Sequence, residues 1–187
     1  INTMTKIFFL LLILFSLTGD SQDTIYYRRL THSTNCIWTK KGETTPFTGV
    51  AYRNYISGKK RMIVKIEYGI PQGESLEYYK NGKIRFEGVN VSGDLNGIIN
   101  TYYKNGKIQS EQEYINGKRN GVLKRYYKNG VLKDNIKYKD DKEDGECTFY
   151  YKDGSVAFIE YYSNGKRIKK WKKYNLFYSS GNLNVTK

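Results

Sequence analysis

The sequence predicts an all-β protein, an elongated single-layer antiparallel β-meander of stacked hairpins, and three observations carry that prediction. Glycine recurs at Gly49, Gly73, Gly97, Gly121 and Gly145, and again at Gly58, Gly82, Gly106, Gly130 and Gly154, both series spaced by 24 residues. A tyrosine pair keeps the same phase as Tyr78-Tyr79, Tyr102-Tyr103, Tyr126-Tyr127 and Tyr150-Tyr151, with Asn54-Tyr55 in the first unit. The 187 residues hold 18 Gly and 19 Tyr but only 2 Pro, a mixture rich in turn formers and in half-buried strand aromatics. A fixed period of this length marks an array in which each unit is one supersecondary element that buries its apolar face only against its neighbours.

In chain order, residues 1–21 come first and read as an export signal. Met4 is the expected start, Lys6 supplies the positive n-region, and Ile7 to Leu17 is an apolar stretch broken only by Ser16. The stretch is too short to cross a bilayer comfortably. Gly19 and Ser21 offer the small residues that a signal-peptidase site needs, so cleavage is expected between Ser21 and Gln22. The expected destination is the periplasm, the outer envelope or the medium. Losing residues 1–21 removes Lys6 and Asp20 and leaves the net charge at +14. Such a charge attracts anionic lipid, acidic polysaccharide, nucleic acid or acidic protein, and export makes nucleic acid the weakest of these partners. Residues 22–45 form an N-terminal extension expected to cap the array. They carry Cys36, and with Cys147 so far along the chain the two cysteines define no disulfide framework.

Residues 46–168 hold five units. Asn81-Gly82, Asn105-Gly106, Asn129-Gly130 and Asp153-Gly154 predict two-residue type I′ hairpin loops, because both central residues must reach positive φ. The second connection is expected to be longer, with Asn116-Gly117-Lys118-Arg119-Asn120-Gly121 as its clearest copy. A two-residue Asn81-Gly82 loop sets Tyr79 opposite Ile84, Glu77 opposite Phe86 and Tyr78 opposite Arg85. The same register pairs Tyr103 with Ile108, Tyr127 with Leu132 and Tyr151 with Val156. One face is then apolar, with Ile99, Leu123 and Cys147 as its next column, and the reverse face carries Tyr78, Tyr102, Tyr126 and Tyr150 among polar residues. Five units of two strands extend roughly 48 Å at ~4.8 Å per strand. Residues 169–187 close the chain as a degenerate repeat and basic cap, where Tyr178-Ser179-Ser180-Gly181-Asn182-Leu183 echoes the repeat late.

Written out as Gly97, Tyr102-Tyr103-Lys104-Asn105-Gly106-Lys107-Ile108 and Tyr114-x-Asn116-Gly117-Lys118, the unit resembles the MORN (membrane occupation and recognition nexus) repeat in its bacterial variant form. The resemblance covers about residues 46–168. It implies a stack of hairpins with a binding or scaffolding role. Some bacterial members are labelled antitoxins, and the eukaryotic repeats are linked to membranes and protein partners. This unit has fewer of the Gly-Glu and Trp positions of the eukaryotic form.

Catalytic and metal chemistry fail on inventory. His32 is the single histidine and lies outside the repeats, so no Ser-His, Cys-His or zinc spacing exists, and no cofactor is expected. Glu111 and Glu113 share a strand face but as a pair occur in one unit only, which reads as a solvated strand rather than a general acid and base. Two binding surfaces stand out. Tyr78, Tyr102, Tyr126 and Tyr150 form an aromatic column with cationic neighbours, suited to stacking on a sugar or clasping a protein. Lys166, Arg167, Lys169, Lys170, Trp171, Lys172 and Lys173 form a basic cluster interleaved with apolar residues, suited to an anionic membrane surface. The expected function is a non-catalytic exported scaffold binding a protein or polysaccharide. The alternative is an antitoxin or immunity protein that neutralises a toxin by direct contact.

Overall fold

The computed structural model describes residues 23–32 and 36–171; the export signal expected over residues 1–21, and Lys172, Lys173 and the rest of the degenerate repeat and cap expected over residues 169–187, lie outside these residues. The described chain is a meander. Ten antiparallel strands follow one another: β4 (Gly49–Asn54), β5 (Lys60–Glu67), β6 (Ile70–Tyr78), β7 (Ile84–Val91), β8 (Asp94–Tyr102), β9 (Ile108–Ile115), β10 (Lys118–Tyr126), β11 (Leu132–Lys139), β12 (Lys142–Tyr150) and β13 (Val156–Ser163). β14 (Lys166–Trp171) pairs with β13 at one end, and β1 (Thr24–Tyr26) pairs parallel with β4 at the other. A separate small hairpin, β2 (Leu30–His32) with β3 (Trp38–Lys40), belongs to the N-terminal segment.

The two rows of turns carry the chemistry expected of each other. At the Asn-Gly loops only the glycine is left-handed, Gly82 at φ +85° and Gly106 at φ +91°, while neither Asn81 nor Asn105 has positive φ. Tyr79 O accepts from Gly82 N at 2.9 Å, and Tyr79 N donates to Lys83 O at 2.8 Å. That is a type I turn closed by a glycine bulge, not the type I′ loop expected. The type I′ loops lie at the second connection, where Asn116 (φ 48°) and Gly117 (φ 75°) are both left-handed and Ile115 faces Lys118 directly. Tyr68-Gly69, Ser92-Gly93, Asp140-Asp141 and Asn164-Gly165 repeat that geometry. The supposed longer connection is therefore the shorter one.

This exchange of turn types corrects the register at the tips only. The hairpin bodies pair as expected, with Glu77 opposite Phe86, Thr101 opposite Ser110 and Arg125 opposite Asp134. Near each tip the ladder slips by one residue, so Tyr78 faces Ile84 where Arg85 was expected, and Tyr102 faces Ile108. Tyr79 and Tyr103 are thereby drawn into the turns. Their hydroxyls cross to the next unit: Tyr55, Tyr79, Tyr103 and Tyr127 donate to the backbone carbonyls of Tyr78, Tyr102, Tyr126 and Tyr150 at 2.7, 2.6, 2.6 and 2.8 Å. Turn asparagines add a parallel stitch. Asn81 Nδ2 donates to Lys104 O at 2.9 Å and Asn129 Nδ2 to Lys152 O at 3.2 Å, while Asn81 Oδ1 accepts from Lys83 N within its own turn. Asparagine thus stands in the turn because its carboxamide bonds both ways.

Register sorts the remaining residues onto two faces. On the core face, Ala51, Ile99, Ile136 and Cys147 are buried, with Ser75, Gln112 and Glu160 beside them in the same rows. Buried polar groups here have named tasks. Gln112 Nε2 donates to Glu113 O at 2.8 Å and Asn120 O at 2.7 Å, where the β9–β10 ladder shifts register. Asp134, fully buried, accepts from Arg125 Nε at 2.7 Å. The phase glycines sit in this face opposite large residues, Gly97 against Tyr114 and Gly121 against Tyr138. At Gly97 the requirement is conformational: φ is +82° and no atom lies within 4 Å of an added Cβ.

The N-terminal segment covers the core face at the first unit. Leu30, Phe47, Ala51 and Ile66 form a buried cluster, with Ile25, Tyr27, Trp38 and Val64 packed against it. Each large aliphatic side chain taken from water there contributes roughly 1.5–3 kcal/mol. The segment is keyed to the array through Gly69, whose N donates to Phe47 O at 2.7 Å and whose O accepts from Trp38 N at 2.8 Å. Cys36 is exposed, Cys147 is buried, and both are free thiols.

Candidate functional site

The reverse face is built from the strand residues between the core positions. Its central row runs Leu76, Glu87, Asn100, Glu111, Lys124, Asn135 and Thr148 across β6 to β12. Along its side stand Tyr78, Tyr102, Tyr126 and Tyr150, all four half-buried and one unit apart, so the fold brings the expected tyrosine column together on one face. The column is anchored. Tyr102 donates its hydroxyl to Glu87 Oε1, which also accepts from Asn100 Nδ2 at 3.0 Å, and Tyr126 donates to Glu111 Oε2. Burial first, and then the hydrogen bond to a carboxylate, push both phenols up to about 12. At neutral pH they are fixed neutral donors, a preorganised surface with little rotamer entropy left to lose.

Tyr78 and Tyr150 stand in the same column without a carboxylate partner among the described residues, because the phase positions of Glu87 and Glu111 are Ile63 for the first and Asn135 for the second. Glu111 is thus occupied in holding Tyr126, and His32 packs edge-on against Trp38 in the cap with ring centroids 5.1 Å apart. Among the described residues no three His, Cys, Asp or Glu side chains converge as a metal site would need.

On the other side of the central row lies a feature that sequence reading missed. Val89, Val91, Ile98 and Ile115 are exposed on β7, β8 and β9, Ile98 by 64%. Register puts Val89 beside Asn96 and Ile98 beside Glu113, on the same face as Glu87 and Glu111. No period announces them, since Ile98 is in phase with Glu74, Val122 and Glu146. The face therefore combines anchored tyrosines, a polar row in which the buried Asn100 Oδ1 and Asn135 Oδ1 meet no hydrogen-bond partner among the described residues, and an apolar patch. That composition suits a protein interface, where aromatic anchors and exposed aliphatics surround a few directional polar groups.

The basic cluster falls on the last described strand. Lys166, Arg167 and Lys169 are exposed on β14, and the backbones of Lys170 and Trp171 continue it. Arg167 is committed to Glu160 Oε1 at 3.0 Å, so this cation of the cluster is paired within the fold.

No curated protein matches this chain. A family model for the MORN repeat variant matches residues 71–89, 95–116, 119–140 and 143–164. Each match takes in a hairpin with its type I turn, and together they span β6 to β13. Four consecutive matches in phase with the stacked hairpins place the chain in the MORN repeat variant family.

Proposed function

We propose that this repeat scaffold is an exported, non-catalytic protein that holds a protein partner on its tyrosine face. The single observation that carries the reading is the composite surface over β7 to β10: anchored Tyr102 and Tyr126 beside exposed Val89, Val91, Ile98 and Ile115. Isolated exposed aliphatics are ordinary, whereas four on one face next to an aromatic column are what an interface core needs. The apolar patch favours protein over polysaccharide, because a glycan offers few faces to branched aliphatics. The apolar run of residues 7–17 supports export, and the basic residues of β14 support attraction to an anionic envelope surface. An antitoxin or immunity role is the form this takes if the bound protein is a toxin acting in the envelope.

The test is retention of protein from envelope extracts by the purified chain and by Ile98→Glu, which changes an exposed side chain and leaves the core untouched. The reading expects one or a few proteins held by the parent chain and lost from Ile98→Glu. Equal retention by both chains contradicts it.

A further inference from the structure

The second repeat departs from the others on the core face, and a cavity lies where it does. Opposite each phase glycine the later units carry Tyr114, Tyr138 and Tyr162, but opposite Gly73 stands Asn90. In the row beside it the later units carry Ile99, Leu123 and Cys147, whereas the second carries Ser75. The neighbouring Gly88 leaves no room of its own, because Ile99 Cδ1 would lie 2.6 Å from a Cβ there. Ser75 and Asn90 are therefore the residues that open the space. Its other walls are Met62, Val64 and Ile66 of β5, Pro71 of β6 and the cap aromatics Tyr27 and Trp38, whose ring centroids are 5.1 Å apart. The cavity measures about 130 Å³ and opens to solvent on one side.

We propose that this cavity is a binding site for a phenolic ring. Size sets the first limit: an enclosed apolar cavity of about 150 Å³ accepts benzene, so a space of about 130 Å³ that is open to solvent takes one six-membered ring with its substituent reaching the opening. Apolar and aromatic walls exclude a sugar or a charged group, which would forfeit its hydration. One polar feature sets orientation. Asn90 Nδ2 donates to Ser75 Oγ, so the Ser75 hydroxyl is left to donate in turn, and it meets no acceptor among the described residues. A ring oxygen supplies that acceptor. The vacancy stands where the array elsewhere inserts its own tyrosine, and the matching ligand is a phenol, either a free small molecule or a tyrosine side chain on a bound chain. This site is on the face opposite the tyrosine column, so its occupation is independent of the proposed protein interface.

The experiment is methyl NMR of the full chain labelled at its two methionines, Met4 and Met62, with Met4 as internal reference. Titration with p-cresol is expected to shift the Met62 methyl by ring current, saturably and at about millimolar concentration. The double variant Ser75→Ile/Asn90→Tyr, which installs the residues of the next unit, is expected to abolish the shift. Ser75→Ala keeps the cavity and removes the donor, so it weakens p-cresol about fivefold and leaves toluene unchanged. An N-acetyl-tyrosine-amide arm separates the sources: binding of both identifies a peptide-borne tyrosine as acceptable, and binding of p-cresol alone identifies a small molecule. The proposal is overturned by an unmoved Met62 methyl in the parent chain, by an equal shift in the filled variant, or by Ser75→Ala binding p-cresol as the parent does.

Discussion

Replacing Tyr103 by Phe removes one oxygen from the stitch between the third and fourth units and leaves the ring in place. The lost contact is the 2.6 Å bond from the Tyr103 hydroxyl to Tyr126 O. Apolar burial is unchanged, so the cost is the net value of one part-buried hydrogen bond, about 1 kcal/mol. With a urea m-value of about 2 kcal/mol/M for a chain of this size, the midpoint falls by about 0.5 M. Tyr151 is the matched control. It has the same place in its turn, is 45% exposed, and its hydroxyl has no partner among the described residues. Tyr151→Phe is therefore expected to move the midpoint by less than about 0.15 M, well under one hydrogen bond. The double variant Tyr79→Phe/Tyr127→Phe removes two stitches two units apart, and its losses are expected to add to about 2 kcal/mol. Equal midpoints for Tyr103→Phe and Tyr151→Phe would refute the idea that these tyrosines are in phase because they join units.

Three further outcomes follow from the geometry. Gly69→Ala should destabilise by at least about 1 kcal/mol more than Gly117→Ala: both glycines are left-handed, but a Cβ on Gly69 meets Trp38 O at 2.8 Å where Gly117 meets only the side chain of Asp94. Near-UV dichroism of the Tyr27–Trp38 pair reports whether the cap has lifted. Tyr102 and Tyr126, with Tyr162 beside Glu160, should ionise late in an absorbance titration, near pH 12. Their folded pKa lies above the unfolded value near 10, so their stabilisation is complete below pH 10 and is lost as pH rises towards 12; Tyr126→Phe should remove one late-titrating group. Cys36 should react with a thiol reagent in the native chain while Cys147, whose thiol burial pushes upward, stays protected until unfolding; two thiols titrating together at once would contradict the burial of Cys147.

Much of the fold was legible because glycine and tyrosine mark backbone needs that repeat. The 24-residue phase located ten of the strands and the pairing of their bodies. What misled was the reading of Asn81-Gly82. The same dipeptide serves a type I turn with a glycine bulge when the asparagine side chain, rather than its backbone, is what the turn requires, and Asn81 bonds forward to Lys104 O in the next unit. A single unit gives no hint of that bond; only stacking creates it. The slip it causes moved Tyr78 from Arg85 to Ile84, and so made the tyrosine column less cationic than expected. On the candidate site, the column was visible in the period, but its anchoring by Glu87 and Glu111 was not, because the second and third units alone carry those carboxylates. Aliphatics such as Ile98, and the pair Ser75 and Asn90, break the repeat instead of obeying it. Periodicity finds the scaffold and is silent on where one unit has been made different.

The most direct measurement is photocrosslinking in the native host from single sites on the two faces. A photoreactive residue at Ile98 or Tyr150, on the tyrosine face, is predicted to capture the same protein, and one at Tyr114, on the core face, to capture none of it. Capture of that protein from Tyr114 with none from Ile98 and Tyr150 would contradict the account.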